Sequence, residues 1–176
     1  MKPIHTHNLI VSSIRSEVAQ VLKGTLASSI DLRYQAKEAH WNVRGREFRE
    51  HHKLFDRLAE TCDKYIDLFA ERQAQLGFTV DGRIQDAVKN TQIEFYPLEI
   101  VNGMEHVGFL ADRLSIYCDL LLKGFHRCEE LEEPVTADLY VESMRAFEEM
   151  LWMIEACLGE TGVAKTEPKM PKLHRA

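Results

Sequence analysis

Apolar residues along this chain recur every three or four positions and almost nowhere every second one, so the pattern predicts helices and no sheet. In the first predicted helix Ile10, Ile14, Val18, Val21, Thr25, Ser28 and Leu32 make one stripe. The helix continues through Ala36 and His40 to the Asn42–Gly45 stretch, where Gly45 marks the stop. A second helix runs from about Glu47 to Leu76, closed by Gly77, with Phe55, Leu58, Cys62, Tyr65, Phe69 and Leu76 as its stripe. About twenty residues then separate it from Pro97, and the segment RIQDAVKN among them suits a short extra helix. A third long helix carries Ile100, Met104, Val107, Leu114, Tyr117, Leu121 and Phe125. Pro134 opens a fourth, in a first turn where proline is tolerated. That helix carries Tyr140, Met144, Phe147, Leu151, Ile154 and Leu158, and Gly159 and Gly162 end it.

Four amphipathic helices of about 25–30 residues, with one long connection between the second and third, predict an all-α four-helix bundle with a long crossover. The chain reads as a single domain over residues 1–176, with a short flexible arm at 1–8 and a basic tail at 164–176.

The polar positions of the second helix carry the candidate chemistry. At about 100° per residue, and with His52 at zero, Asp56 falls near 40°, Asp67 near 60° and Glu71 near 100°. The apolar stripe of that helix falls at roughly 220–300°, so the four donors face away from the bundle's own core. The His52/Asp56 pair and the Asp67/Glu71 pair are centred about 22 Å apart along the axis. Metal–ligand bonds are only about 2.0–2.6 Å long, so the pairs cannot share a metal within one chain. An antiparallel second copy solves this, bringing residue 52 opposite 71 and 56 opposite 67 about an axis near Thr61–Cys62. His40, just before the turn into this helix, adds a second imidazole. Two histidines and three carboxylates suit iron, manganese or zinc, and the absence of cysteine weakens a structural zinc reading.

The competing reading is a solvated face whose acids pair with Arg57, Lys64 and Arg72. His51 falls near 260°, on the apolar side, and reads as a packing or end-of-bundle histidine.

Composition adds boundaries. Net charge is −6 over 176 residues. The tail sets Lys165, Lys169, Lys172 and Arg175 against Glu167, a net +3, which leaves −9 for the body. An acidic body suits cation handling and argues against generic nucleic-acid binding. No apolar run approaches the roughly 18 residues of a membrane span, and the start, MKPIHTHN, lacks a signal architecture, so a cytoplasmic protein is expected. Cys62, Cys118, Cys128 and Cys157 form no CxxC pair, and three lie in helical apolar patterns as small buried hydrophobes.

The segments HWNVRGREFREHHKLFD (His40 to Asp56) and IDLFAERQAQLG (Ile66 to Gly77) closely resemble the paired signatures of the Dps family, the mini-ferritins. The first matches at His40, Trp41, Gly45, His52 and Asp56, the second at Asp67, Ala70-Glu71-Arg72 and Gly77. YPLEI, TADL and MLWMIE extend the likeness from about residue 13 to 160. Two positions depart from it: His51, where an aliphatic residue is usual, and Phe69, where a smaller one is common.

The resemblance implies a ferritin-like bundle and a ferroxidase centre between two-fold-related subunits. His40, His52 and Asp56 would come from one chain, and Asp67 and Glu71 from the other. It also implies a homo-oligomer, a hollow dodecamer that stores ferric mineral and prefers hydrogen peroxide as oxidant. Zinc or manganese would be substitutes for iron. No position reads Glu-x-x-His, which counts against larger intra-bundle di-iron proteins.

Family members line a three-fold pore with acids near the start of the fourth helix. Glu132, Glu133, Asp138 and Glu142 cluster there, with Asp138 and Glu142 the entry-pore candidates, beside a reading of Glu132, Glu133 and Asp138 as acids that merely favour the helix N-terminus. His5 and His7 are candidates for an accessory metal site in the arm. The alternative function is a nucleoid-condensing protein that contacts DNA through Lys165, Lys169, Lys172 and Arg175.

Overall fold

The computed structural model describes residues 1–159, so Lys165, Lys169, Lys172, Arg175 and the expected DNA contact lie outside the described residues. Five helices follow in order: α1 (Ser12–Asn42), α2 (Phe48–Gln75), α3 (Ile84–Asn90), α4 (Gly103–Glu130) and α5 (Pro134–Leu158). A short turn joins α1 to α2 and another joins α4 to α5, and each pair packs lengthwise. The two pairs close on each other through α1 with α4 and α2 with α5, which makes the predicted four-helix bundle. The long crossover holds α3, whose Ala87 packs on Leu26 and Ile30 of α1.

Element boundaries follow local chemistry. The first helix starts at Ser12 rather than Ile10, and the third long one at Gly103 rather than Ile100. The latter start is fixed by Asn102, whose side chain accepts from the Met104 N–H at 2.8 Å. Gly45 (φ 117°) and Gly77 (φ 83°) take left-handed conformations where the chain leaves α1 and α2. A Cβ disfavours both.

The core follows the predicted stripes. Phe55, Leu58, Cys62, Tyr65 and Phe69 of α2 are buried against Leu114, Tyr117 and Leu121 of α4 and Tyr140, Phe147 and Ile154 of α5. Each large apolar side chain so buried contributes roughly 1.5–3 kcal/mol. Two phenols enter this core with partners. Ser29 Oγ donates to the Thr25 carbonyl (2.8 Å) and lies 2.6 Å from the Tyr117 hydroxyl, so the tyrosine is the donor to the serine. Thr25 and Tyr140 repeat the arrangement at 2.7 Å. Cys62 and Cys128 are buried, as expected of small hydrophobes, whereas Cys157 is exposed. Burial pushes the Cys118 and Cys128 thiols up to about 12, which keeps them protonated and unreactive.

The arm departs from expectation. It is not a free segment but lies along residues 77–79. The Ile4 N–H donates to the Gly77 carbonyl (2.8 Å), and the Thr79 N–H donates to the Lys2 carbonyl (2.9 Å). Pro3 and Phe78 form an antiparallel bridge. The crossover leaves α2 in an extended conformation whose backbone groups need partners, and the arm supplies them.

Arg72 also departs. Instead of pairing with the acids of its own helix, it reaches α5: its Nη2 donates to Glu133 Oε1 (3.0 Å) and its Nε to Thr136 Oγ1 (2.9 Å). Glu133 in turn caps α5 by accepting from the Val135 and Thr136 N–H groups, and is 2% exposed. The cap reading therefore holds for Glu133. Burial alone would push this carboxyl up, but hydrogen bonding from Thr136 and the Arg72 guanidinium outweigh it and hold the group below the ordinary glutamate range.

A depressed carboxyl adds stability that is fully present above its unfolded-state pKa, about 4.3, and is lost as pH falls through the folded value. Glu133→Gln should therefore cost roughly 3 kcal/mol near neutral pH by leaving Arg72 unpaired. Urea denaturation across pH should show the gap from the unaltered protein closing in acid. A gap constant with pH would mean that the charge contributes nothing.

Candidate metal centre

The second helix can bury only one side, and its apolar residues take it. His52 and Asp56 are left half-buried and Asp67 and Glu71 exposed, all on the other side. The expectation that this stripe faces away from the core holds.

The last turn of α1 and the first turns of α2 bring His40 beside His52. The rings stack with centroids 3.6 Å apart and planes 23° from parallel. His40 Nδ1 lies 2.8 Å from the His52 carbonyl oxygen, and His52 Nδ1 lies 2.9 Å from the His40 carbonyl oxygen. A carbonyl only accepts, so each ring donates from Nδ1. The His40 carbonyl belongs to the last turn of α1, where no helical N–H remains to bond it. Each neutral imidazole is thereby fixed with its lone pair on Nε2, the form that ligates a metal.

Asp56 completes this end. Its Oδ1 is 3.8 Å from His40 Nδ1 and accepts a hydrogen bond from Lys37 Nζ at 2.8 Å. The Lys37 bond, chiefly, holds the Asp56 carboxyl below its ordinary range; burial opposes it, and the neighbouring His40, Lys37 and His52 add to the lowering. Lys37 was missed in the sequence. It stands three residues before His40, hence on the same face of α1, and that spacing was the available signal.

The remaining acids behave differently. Asp67 and Glu71 make no ion pair among the described residues, because their expected partners turn elsewhere. Arg57 pairs with Glu149 (2.9 Å), Lys64 with Glu142 (2.7 Å) and Arg72 with Glu133. The solvated-face reading fails for these three cations for one reason: each reaches across to α5. Among the described residues no three or more His, Cys, Asp or Glu side chains of this one chain gather as a metal site. The structure sets His40 beside His52 and, separately, 3.8 Å from Asp56, and leaves Asp67 and Glu71 farther along the same face of α2.

The other candidates are also placed. His51 is buried, as read from the helical wheel, and stacks on Phe55 with centroids 5.9 Å apart. Asp138 lines an open groove of about 470 Å³ with Glu129 and Glu132 at the start of α5, whereas Glu142 is held by Lys64. His5 and His7 are exposed, their rings 5.0 Å apart. No helix among the described residues is long and apolar enough to cross a membrane.

A four-helix bundle with one long crossover and an imidazole–carboxylate face is a ferritin-like protein, and residues 19–162 match the family model of the ferritin-like domain. The chain is 34% identical over 160 residues to the DNA protection during starvation protein of Agrobacterium fabrum, covering 91% of this chain and 99% of that one. Its fold superimposes on the Dps of Mycobacterium smegmatis with a TM-score of 0.85 at 27% identity, over 93% of this chain and 99% of the other. It superimposes on the Dps protein of Vibrio cholerae with a TM-score of 0.81 at 24% identity, over 89% and 99%. The chain belongs to the Dps family of mini-ferritins.

The histidine geometry has a direct spectroscopic consequence. In metal-free protein above the imidazole titration range, both His40 and His52 should show the Nδ1–H tautomer in long-range ¹H–¹⁵N spectra, against the usual solution preference for Nε2–H. An Nε2–H pattern at either residue would contradict the reciprocal hydrogen bonds.

Proposed function

We propose that this protein is a ferroxidase and iron-storage protein, which oxidises ferrous iron at two-metal sites shared between two copies of the chain. One copy supplies His40, His52 and Asp56, and the other Asp67 and Glu71. The observation that carries this reading is the reciprocal His40–His52 pair, which leaves two Nε2 lone pairs on the face of α2 that bears two unpaired carboxylates. The carboxylates stand too far along the helix to join the histidines within one chain, so a two-fold partner completes the set. Imidazole and carboxylate donors stabilise the ferric product.

Hydrogen peroxide is the preferred oxidant in this reading. One ferrous ion delivering a single electron to peroxide breaks the O–O bond and releases hydroxyl radical. Two ions side by side deliver two electrons, and with two protons the peroxide leaves as two waters. Paired sites thus consume peroxide without radical release, which protects DNA. The product collects as ferric mineral inside a hollow dodecamer in the cytoplasm. Asp138, with Glu129 and Glu132 around the same groove, suits the mouth of an entry path for cations, and Glu142 would have to leave Lys64 to join it.

Zinc or manganese would occupy the same donors, since ligand type alone does not separate these metals. His5 and His7 would offer two further donors from the arm. The alternative, a nucleoid-condensing protein with incidental metal binding, rests on the four basic residues of the tail.

Anaerobic loading with ferrous iron, followed by peroxide and read at the ferric absorbance band, tests the proposal. His52→Ala and Asp67→Ala should each slow oxidation well over about tenfold. When the two variants are mixed and reassembled, each heterodimer rebuilds one of its two centres, so about a quarter of full activity should return. No recovery despite demonstrated heterodimers would exclude the shared site.

A further inference from the structure

The turn between α1 and α2 packs on the start of α4 and encloses a pocket of about 240 Å³ that the proposed metal chemistry does not use. Its charge runs against the rest of the body. Arg44 and Arg46 contribute to its lining, and neither makes an ion pair among the described residues. Glu47 is the single acid there. Asn102 and Gly103, the cap and first residue of α4, form the opposite wall, so a 28-residue helix presents the positive end of its dipole to the pocket.

The feature that marks this as a built site is His51. It is 4% exposed, lines the pocket, and its ring makes no hydrogen bond among the described residues. Neither ring nitrogen is sealed from solvent, so the unbonded ring is free to donate into the pocket. The ring stands edge-on to Gly103: a Cβ on that glycine would lie 2.6 Å from His51 Nδ1 and 3.3 Å from Cε1. Only glycine lets the imidazole occupy this wall. The phenyl ring of Phe55 stacks behind it and holds its plane.

We propose that this pocket binds a small tetrahedral oxyanion of the inorganic phosphate type. The His51 ring donates one hydrogen bond to it, Arg44 and Arg46 supply positive charge, and the α4 N-terminus supplies the field. Two arginines outweigh Glu47, which selects an anion over a cation. The depth of His51 selects a free oxyanion over a duplex, whose phosphates are carried on a wide convex backbone. An oxyanion seated here ties the α1–α2 turn, and with it the His40–His52 pair at its base, to the start of α4.

Equilibrium dialysis of metal-free full-length protein against radiolabelled inorganic phosphate tests this, since metal removal excludes binding to iron. The unaltered protein should bind about one phosphate per chain, saturably. Arg44→Ala/Arg46→Ala, a change of exposed residues that leaves the core alone, should weaken binding about tenfold or more, and so should His51→Leu. Gly103→Ala, which drives a methyl into His51, should do the same, with helical circular dichroism confirming that each variant is folded. Absence of saturable binding, or unchanged affinity in the arginine variant, overturns the proposal. Loss in the arginine variant with full binding in His51→Leu also overturns it, leaving a surface charge pair without a built pocket. A duplex oligonucleotide that binds through these arginines while free phosphate does not would reassign the surface to a nucleic-acid backbone.

Discussion

A helix has two sides and α2 has two tasks, and the geometry of one helix sets the terms for everything else in this protein. Its apolar stripe, Phe55 through Phe69, is consumed by the bundle core, where α4 and α5 close over it. The donors His52, Asp56, Asp67 and Glu71 are left on the side that the chain's own core does not cover. Because a helix rises only about 1.5 Å per residue, four donors spread over five turns cannot converge on one ion. The chemistry of this face therefore calls for a second molecule, and the proposed centre is a property of a pair.

Within one chain, the contacts around α2 keep that face clean. Arg57, Lys64 and Arg72 each carry a charge that would otherwise fall on the carboxylates, and each is drawn to an acid near or on α5. The deepest of these, Arg72 with Glu133 and Thr136, also fixes where α5 begins. Lys37 is the exception, since it bonds Asp56 directly. Lys37 thus serves as a counter-charge for Asp56, one that a cation at the proposed site would compete with.

The α1–α2 turn concentrates several constraints in few residues. Gly45 makes the left-handed bend, and the crossed His40 and His52 hydrogen bonds close its base. Val43 is fully buried, and Arg44 bonds through its backbone to Val101 and Gly103 of the crossover and α4. The proposed oxyanion pocket lies on the outer side of this turn and the proposed metal donors at its base. One short segment would thus couple two proposed sites of opposite charge preference.

The spacing of residues alone determined the helix count, the long crossover with its short helix, the outward stripe and the buried His51, because each depends on the pitch of a helix and on which residues water excludes. The proposed two-fold pairing rests on the same footing, being only rise per residue set against bond length. The side-chain partnerships were not legible. Arg72 read only as a partner for the acids of its own helix, and Lys37 stood among many surface lysines. The arm carried no pattern to distinguish a free segment from one laid along residues 77–79. Such choices depend on which groups packing brings within about 3 Å, and hydrogen bonds do not repeat with the helical period. The His40 and His52 tautomers are the sharpest instance. Two histidines twelve positions apart are read in the sequence as donors, but only the fold, by placing each Nδ1 against the other's carbonyl, decides which nitrogen remains to donate.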